Sequence, residues 1–177
     1  SKPSAPTFSP VFVQKKIRMG TADMLHQPAM TQAECQQAFQ VGQQQVRELA
    51  ANDSNVFGFG DMGIGNTSAA ALLMSRLLEL PLEQCVGRGT GLDDEQLQAK
   101  LNLLTQVSQQ HKDCSTPLGV MAAMGGLEIA AIAGGMLEAA KHRSVVLVDG
   151  FIASAAYLVA VQMQPALEDY AVFCHCS

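Results

Sequence analysis

The run Val145-Val146-Leu147-Val148 constrains the fold more than any other stretch of the chain. Aliphatic residues without polar alternation, closed by Asp149-Gly150, read as a strand over Ser144 to Asp149 buried on both faces. Such a strand belongs in a parallel sheet flanked by helices. A second short apolar strand, Asn55 to Gly60, ends in glycine and enters the loop Asp61-Met62-Gly63-Ile64-Gly65-Asn66. Thr67 or Ser68 is expected to cap the helix that follows, to about Glu79. Thr31 with Glu34 is a capping-box signature, and the polar run to about Ala50 is a helix. Its apolar positions Ala38, Val41, Val46 and Leu49 place it on the surface. Further helices are expected over 93–110, 126–142 and 151–163, and brief strands near Val86 and over 170–174. Strands alternating with helices give an α/β domain with a mainly parallel sheet.

Composition narrows the function. A chain of 177 residues suits one domain, and 48% hydrophobic against 15% charged residues excludes bulk disorder. With 16 acidic and 11 basic side chains and no Lys/Arg cluster, nucleic-acid binding is excluded as an expectation. The segment Leu118 to Ala140 is apolar, but Glu128 and Glu138 interrupt it, so it reads as a helix in a core and not as a membrane span. The five cysteines, Cys35, Cys85, Cys114, Cys174 and Cys176, follow no disulfide rhythm and point to reduced thiols in a cytoplasmic protein. Cys174-His175-Cys176 invites a metal reading, yet nothing completes a tetrahedral set, so no metal is expected. His26, His111 and His142 lack any triad-like context and read as incidental.

In parallel sheets ligands sit beyond the carboxyl ends of strands. The 60–66 loop, the loop Gly87-Arg88-Gly89-Thr90-Gly91, and Asp149-Gly150 all fall there. Gly58-x-Gly60-x-x-Gly63 matches a dinucleotide fingerprint, but Asp61 would oppose a pyrophosphate and Arg88 stands where an acid is expected. A single phosphate fits better, held by backbone N–H groups of Gly63, Gly65 and the residues after them at a helix start. Lys100 alone reads as a solvated surface charge. Glu128, set among Gly125, Gly126, Leu127, Ile129 and Ala130, is either paired or facing the site.

Asp61-Met62-Gly63-Ile64-Gly65-Asn66-Thr67-Ser68-Ala69-Ala70-Ala71 and Val86 to Asp94 closely resemble the nicotinate-nucleotide:dimethylbenzimidazole phosphoribosyltransferases of cobalamin biosynthesis. Arg18-x-Gly20-Thr21, Gly125 to Ala130, Asp149-Gly150-Phe151-Ile152 and His175-x-Ser177 are similar to further landmarks of that family, in the family's order. The resemblance implies phosphoribosyl transfer from nicotinate mononucleotide to dimethylbenzimidazole, giving α-ribazole phosphate and nicotinate, with no metal or other cofactor. It implies a Rossmann-like three-layer α/β/α fold and a homodimer. Residues 1–15 would be an irregular lead-in, and residues 16–177 the central part of an incomplete large domain. Carried over, Gly63, Ile64, Gly65, Asn66, Thr67, Gly89, Thr90 and Gly91 would cradle the phosphoribosyl group, with Lys100 near its phosphate. Asp61, in a supporting catalytic role, stands where the family usually has glutamate. The family's general-base glutamate would lie beyond Ser177, so the chain alone is expected to be inactive. Two alternatives stay open, a short non-catalytic phosphate-binding module and a fragment of a dinucleotide-dependent oxidoreductase.

Overall fold

The structure, a computed structural model, describes residues 12–87, 91 and 93–174. Among these residues a three-stranded parallel sheet has the order β1 (Val56–Phe59), β2 (Val145–Val148), β3 (Ala171–Phe173). Phe57 lies opposite Val146 and Val146 opposite Ala171; Phe59, Val148 and Phe173 align one step along the same face. The helices are α1 (Gln32–Ala50), α2 (Thr67–Leu78), α3 (Leu82–Cys85), α4 (Asp94–Gln110), α5 (Pro117–Met124), α6 (Leu127–Lys141) and α7 (Gly150–Met163), with a 3-10 helix at Pro165–Tyr170. The expected parallel sheet with flanking helices is present.

The two capping boxes set the starts of α1 and α4. Thr31 and Glu34 exchange side-chain and backbone bonds at one, and Asp93 and Gln96 do so at the other. The apolar stretch 118–140 is two helices, because the chain breaks at Gly125-Gly126 between α5 and α6. Among the described residues no helix is long and apolar enough to cross a membrane.

Four expectations are corrected. The β2 run is not buried on both faces, since Val145 is 39% exposed and Leu147 half-buried, while Val146 and Val148 are buried. The reason is that α6 and α7 pack on one face. Gly135 of α6 lies against the Phe59 ring, and Tyr157 of α7 meets Phe173 edge-on at 5.0 Å. The opposite face shows Val56 and Val172, each 52% exposed. Near Val86 the chain forms the single helical turn α3 instead of a strand, entered through Pro81 and burying Leu82 and Cys85 one turn apart.

α1 lies at the surface as expected, but its buried stripe differs from the expected one. Cys35, Ala38, Phe39 and Val46 are buried, whereas Leu49 is exposed. α1 and α6 touch backbone to backbone, because a β-carbon on Gly42 would strike the Ala131 carbonyl and one on Gly134 the Phe39 carbonyl. Finally, His111 is not incidental. It is buried, and its Nε2–H donates to the Met24 carbonyl oxygen at 2.8 Å, fastening the segment before α1 to the end of α4.

Glu138 of α6 is buried under α1, where Arg47 Nε donates to its Oε1 at 2.9 Å. His142 Nε2 lies 3.3 Å from the same oxygen. The hydrogen bond from Arg47 holds the Glu138 carboxyl below its ordinary value against the opposing effect of burial, with added support from the charges of Arg47 and Lys141 and from His142. A lowered folded-state pKa means that the stabilisation is present above the unfolded carboxylate value and is lost as pH falls through the folded one. The urea midpoint is therefore expected to drop as pH falls below about 4.5. Arg47→Ala should flatten that dependence, and identical pH curves for the two proteins would exclude this pairing as a cause.

Candidate functional site

β1 and β2 end side by side, tied by the Asp149 N–H donating to the Phe59 carbonyl at 3.0 Å. Asp149 thereby borders Gly60, whose missing side chain would come within 3.9 Å of the Asp149 carboxylate. From Gly60 the chain turns through Asp61, Gly63 and Gly65 into α2. Gly65 has φ +92°, a conformation that favours glycine, and it lets the backbone reverse into the helix.

Asp61 organises this turn. Its Oδ2 accepts from the Gly63 N–H at 2.8 Å and from Asn66 Nδ2 at 2.9 Å. The Gly63 N–H is thus already used within the loop. This weighs against the dinucleotide reading, since that motif needs the loop amides for the pyrophosphate. Asn66 Nδ2 also lies 3.4 Å from Glu128 Oε1, so Glu128 faces the loop from the start of α6.

The expected cap at Thr67 or Ser68 is corrected as well. Thr67 is the first residue of α2, and Asn66 precedes it with φ −82° and ψ −6° and makes no side-chain cap bond. Among the described residues, then, no side-chain cap bond closes the positive end of α2. Lys100, one turn and a half into α4, reaches across so that its Nζ donates to Thr67 Oγ1 at 3.4 Å. Among the described residues no carboxylate pairs with it. Met62 is fully exposed and Ile64 94% exposed on the same loop, presenting apolar surface beside the polar cluster.

The structure therefore brings Asp61, Gly63, Gly65, Asn66, Thr67 and Lys100 together, with Ile64 projecting outward. Gly91, at φ +113°, stands two residues before the α4 cap. Because no strand forms at Val86, the 87–91 loop leads from α3 into α4 and does not extend a strand end. Arg88, Gly89, Thr90 and Leu92 lie outside the described residues, as do residues 1–11 and His175, Cys176 and Ser177. The Cys174-His175-Cys176 cluster is therefore described only at Cys174.

Sequence reasoning missed the amide of Asn66 as the link between Asp61 and Glu128. The available signal was an Asn at a helix start with acids nearby, a residue type that otherwise caps by itself. It also missed Arg76, whose guanidinium donates to the carbonyls of Ser108, His111, Lys112 and Cys114 and so anchors the α4–α5 connection against α2.

A family model described as phosphoribosyltransferase matches residues 3–177. The chain is 47% identical over 173 residues to the nicotinate-nucleotide–dimethylbenzimidazole phosphoribosyltransferase of Photobacterium profundum, covering 97% of this chain and 51% of that protein. To the protein of the same name from Ralstonia nicotianae it is 51% identical over 168 residues, covering 95% and 48%. A crystal structure of CobT from Thermus thermophilus superposes with a TM-score of 0.85 at 40% identity, covering 92% of this chain and 49% of that one. The chain spans about half the length of the curated relatives it matches.

Proposed function

The chain belongs to the phosphoribosyltransferase family whose model spans residues 3–177, and from that premise we propose that it binds the phosphoribosyl group of nicotinate mononucleotide for transfer to dimethylbenzimidazole. The products are α-ribazole phosphate and nicotinate. The observation that carries this reading is Lys100, whose ammonium meets the Thr67 hydroxyl at the uncapped start of α2. A cation, a hydroxyl and a helix N-terminus at one point form a phosphate cradle with Gly65, Asn66 and Thr67. Gly63 serves it by closing the turn, and Gly89, Thr90 and Gly91 are proposed to line its other side. Ile64 offers apolar surface to the ring of a base.

As the bond from ribose to nicotinate breaks, positive charge develops on the sugar, and the Asp61 carboxylate lies on the loop that would carry it. The incoming benzimidazole nitrogen leaves a proton that must pass to a base. We assign that base to the half of the relatives that this chain does not match, so the 177 residues bind mononucleotide without turning it over at an enzymatic rate. We further propose a homodimer in the cytoplasm. The thiols of Cys35, Cys85, Cys114 and Cys174 are free, as a reducing compartment would leave them. The open sheet face with Val56, Val145 and Val172 is surface that an assembly would cover.

Isothermal titration of the purified chain tests the reading. Nicotinate mononucleotide is expected to bind at least tenfold more tightly than NAD, and tighter NAD binding would favour the oxidoreductase alternative instead. Incubation with both substrates should yield no appreciable α-ribazole phosphate, and brisk formation of it would overturn our placement of the base.

A further inference from the structure

We propose that Glu128 is a positioning residue that holds the Asn66 side chain away from the N-terminus of α2 and so keeps that terminus open to phosphate; this rests on the phosphate-binding reading above. Asparagine at a helix start ordinarily turns its side-chain oxygen onto the second or third helical N–H. Asn66 does not. Its backbone is already helical, and its amide nitrogen donates to Asp61 Oδ2 at 2.9 Å and sits 3.4 Å from Glu128 Oε1. Among the described residues its Oδ1 is buried with no partner. The amide orientation is therefore set by its nitrogen end alone, and a half-turn of the group would point Oδ1 at two carboxylates.

The two acceptors come from different elements. Asp61 belongs to the loop after β1 and is also committed to the Gly63 N–H. Glu128 comes from the second residue of α6, folded back over its own helix start. Gly126 permits this, because a β-carbon there would collide with the Glu128 carboxylate. An exposed glutamate in a helical first turn is stabilised by the helix dipole wherever it points. That dipole does not explain why this one is folded toward Asn66. With Glu128 gone, Asn66 keeps one acceptor, and Gly65 at φ +92° gives the backbone a place to swing. The amide can then return to capping and compete with an anion for the first turn of α2.

The experiment is a double-mutant cycle read by nicotinate mononucleotide affinity, beside a ligand-free measurement. Glu128→Ala is expected to weaken binding about tenfold, and Glu128→Gln, which keeps an acceptor oxygen, to stay within about twofold of the parent. Glu128→Ala added to Asn66→Ala should cost nothing more. In the ligand-free chain, the side-chain 1H–15N resonances of Asn66 should move in Glu128→Ala and remain near the parent's in Glu128→Gln. Additive losses, or full affinity in Glu128→Ala, would overturn the proposal. Unmoved Asn66 resonances would overturn it whether or not ligand binds, whereas a parent chain that bound no mononucleotide would sink the phosphate-binding reading itself.

Discussion

Gly134→Ala is expected to destabilise the chain by about 3 kcal/mol or more, although alanine is the better helix former by about 1 kcal/mol. A β-carbon there would meet the Phe39 carbonyl, and its Cα at 2.6 Å, so the obstacle is α1 backbone with no rotamer to change. The helices must separate, and the bond from exposed Arg47 to buried Glu138 and the Cys35, Ala38, Phe39 face open with them. Gly42→Ala meets the Ala131 carbonyl from the other side and should behave alike. Gly58→Ala is the control. It lies on the open face of β1 with nothing within 4 Å of the added carbon, so its effect should stay within about 0.5 kcal/mol. Urea midpoints decide the matter, and a Gly134→Ala midpoint equal to the parent's would refute the close approach of the helices.

Lys100→Ala should weaken nicotinate mononucleotide binding by roughly ten- to hundredfold, the range for removing a hydrogen bond to a charged group at about 1.5–3 kcal/mol. The thermal midpoint should hardly change, because among the described residues the only polar contact given up is the 3.4 Å bond to Thr67. This separation is what distinguishes a ligand-binding lysine from a structural one. Lys100→Arg keeps the charge but not the compact ammonium and should recover part of the affinity. Unaltered affinity in Lys100→Ala would remove the residue from the site.

Much of this was legible in the residues. The Thr31–Glu34 capping box, the positions of β1 and β2, the two helices after them and the short last strand follow from local patterns of apolar periodicity and cap chemistry, whereas the Asp93–Gln96 box emerges only in the structure. What stayed hidden depends on atoms that a hydrophobic pattern does not count. The α1–α6 contact is made by Gly42, Ala131 and Gly134, which contribute backbone where periodicity looks for side chains. The run at β2 told of a buried strand but not that one of its faces is open, because the covering of a face is decided by helices far along the chain. At the site, Asp61, Gly65, Asn66, Thr67 and Lys100 were named beforehand. The direction of the Asn66 amide was not, since it depends on a carboxylate 62 positions away.

The pairing of α1 with α6 also has a consequence in time. Arg47 and Glu138 lie 91 positions apart, so at about 5–20 residues per second a ribosome delivers the partner of α1 roughly 5–20 s after α1 itself. For that interval α1, with Cys35, Ala38 and Phe39 on its inner face, lacks the α6 backbone that packs against it. Once docked, burial pushes the Cys35 thiol up to about 12, and it ceases to be a nucleophile at neutral pH. The vulnerable period of this cysteine is thus its infancy on the nascent chain, and a thiol reagent given during synthesis should mark it where the same reagent given afterwards does not.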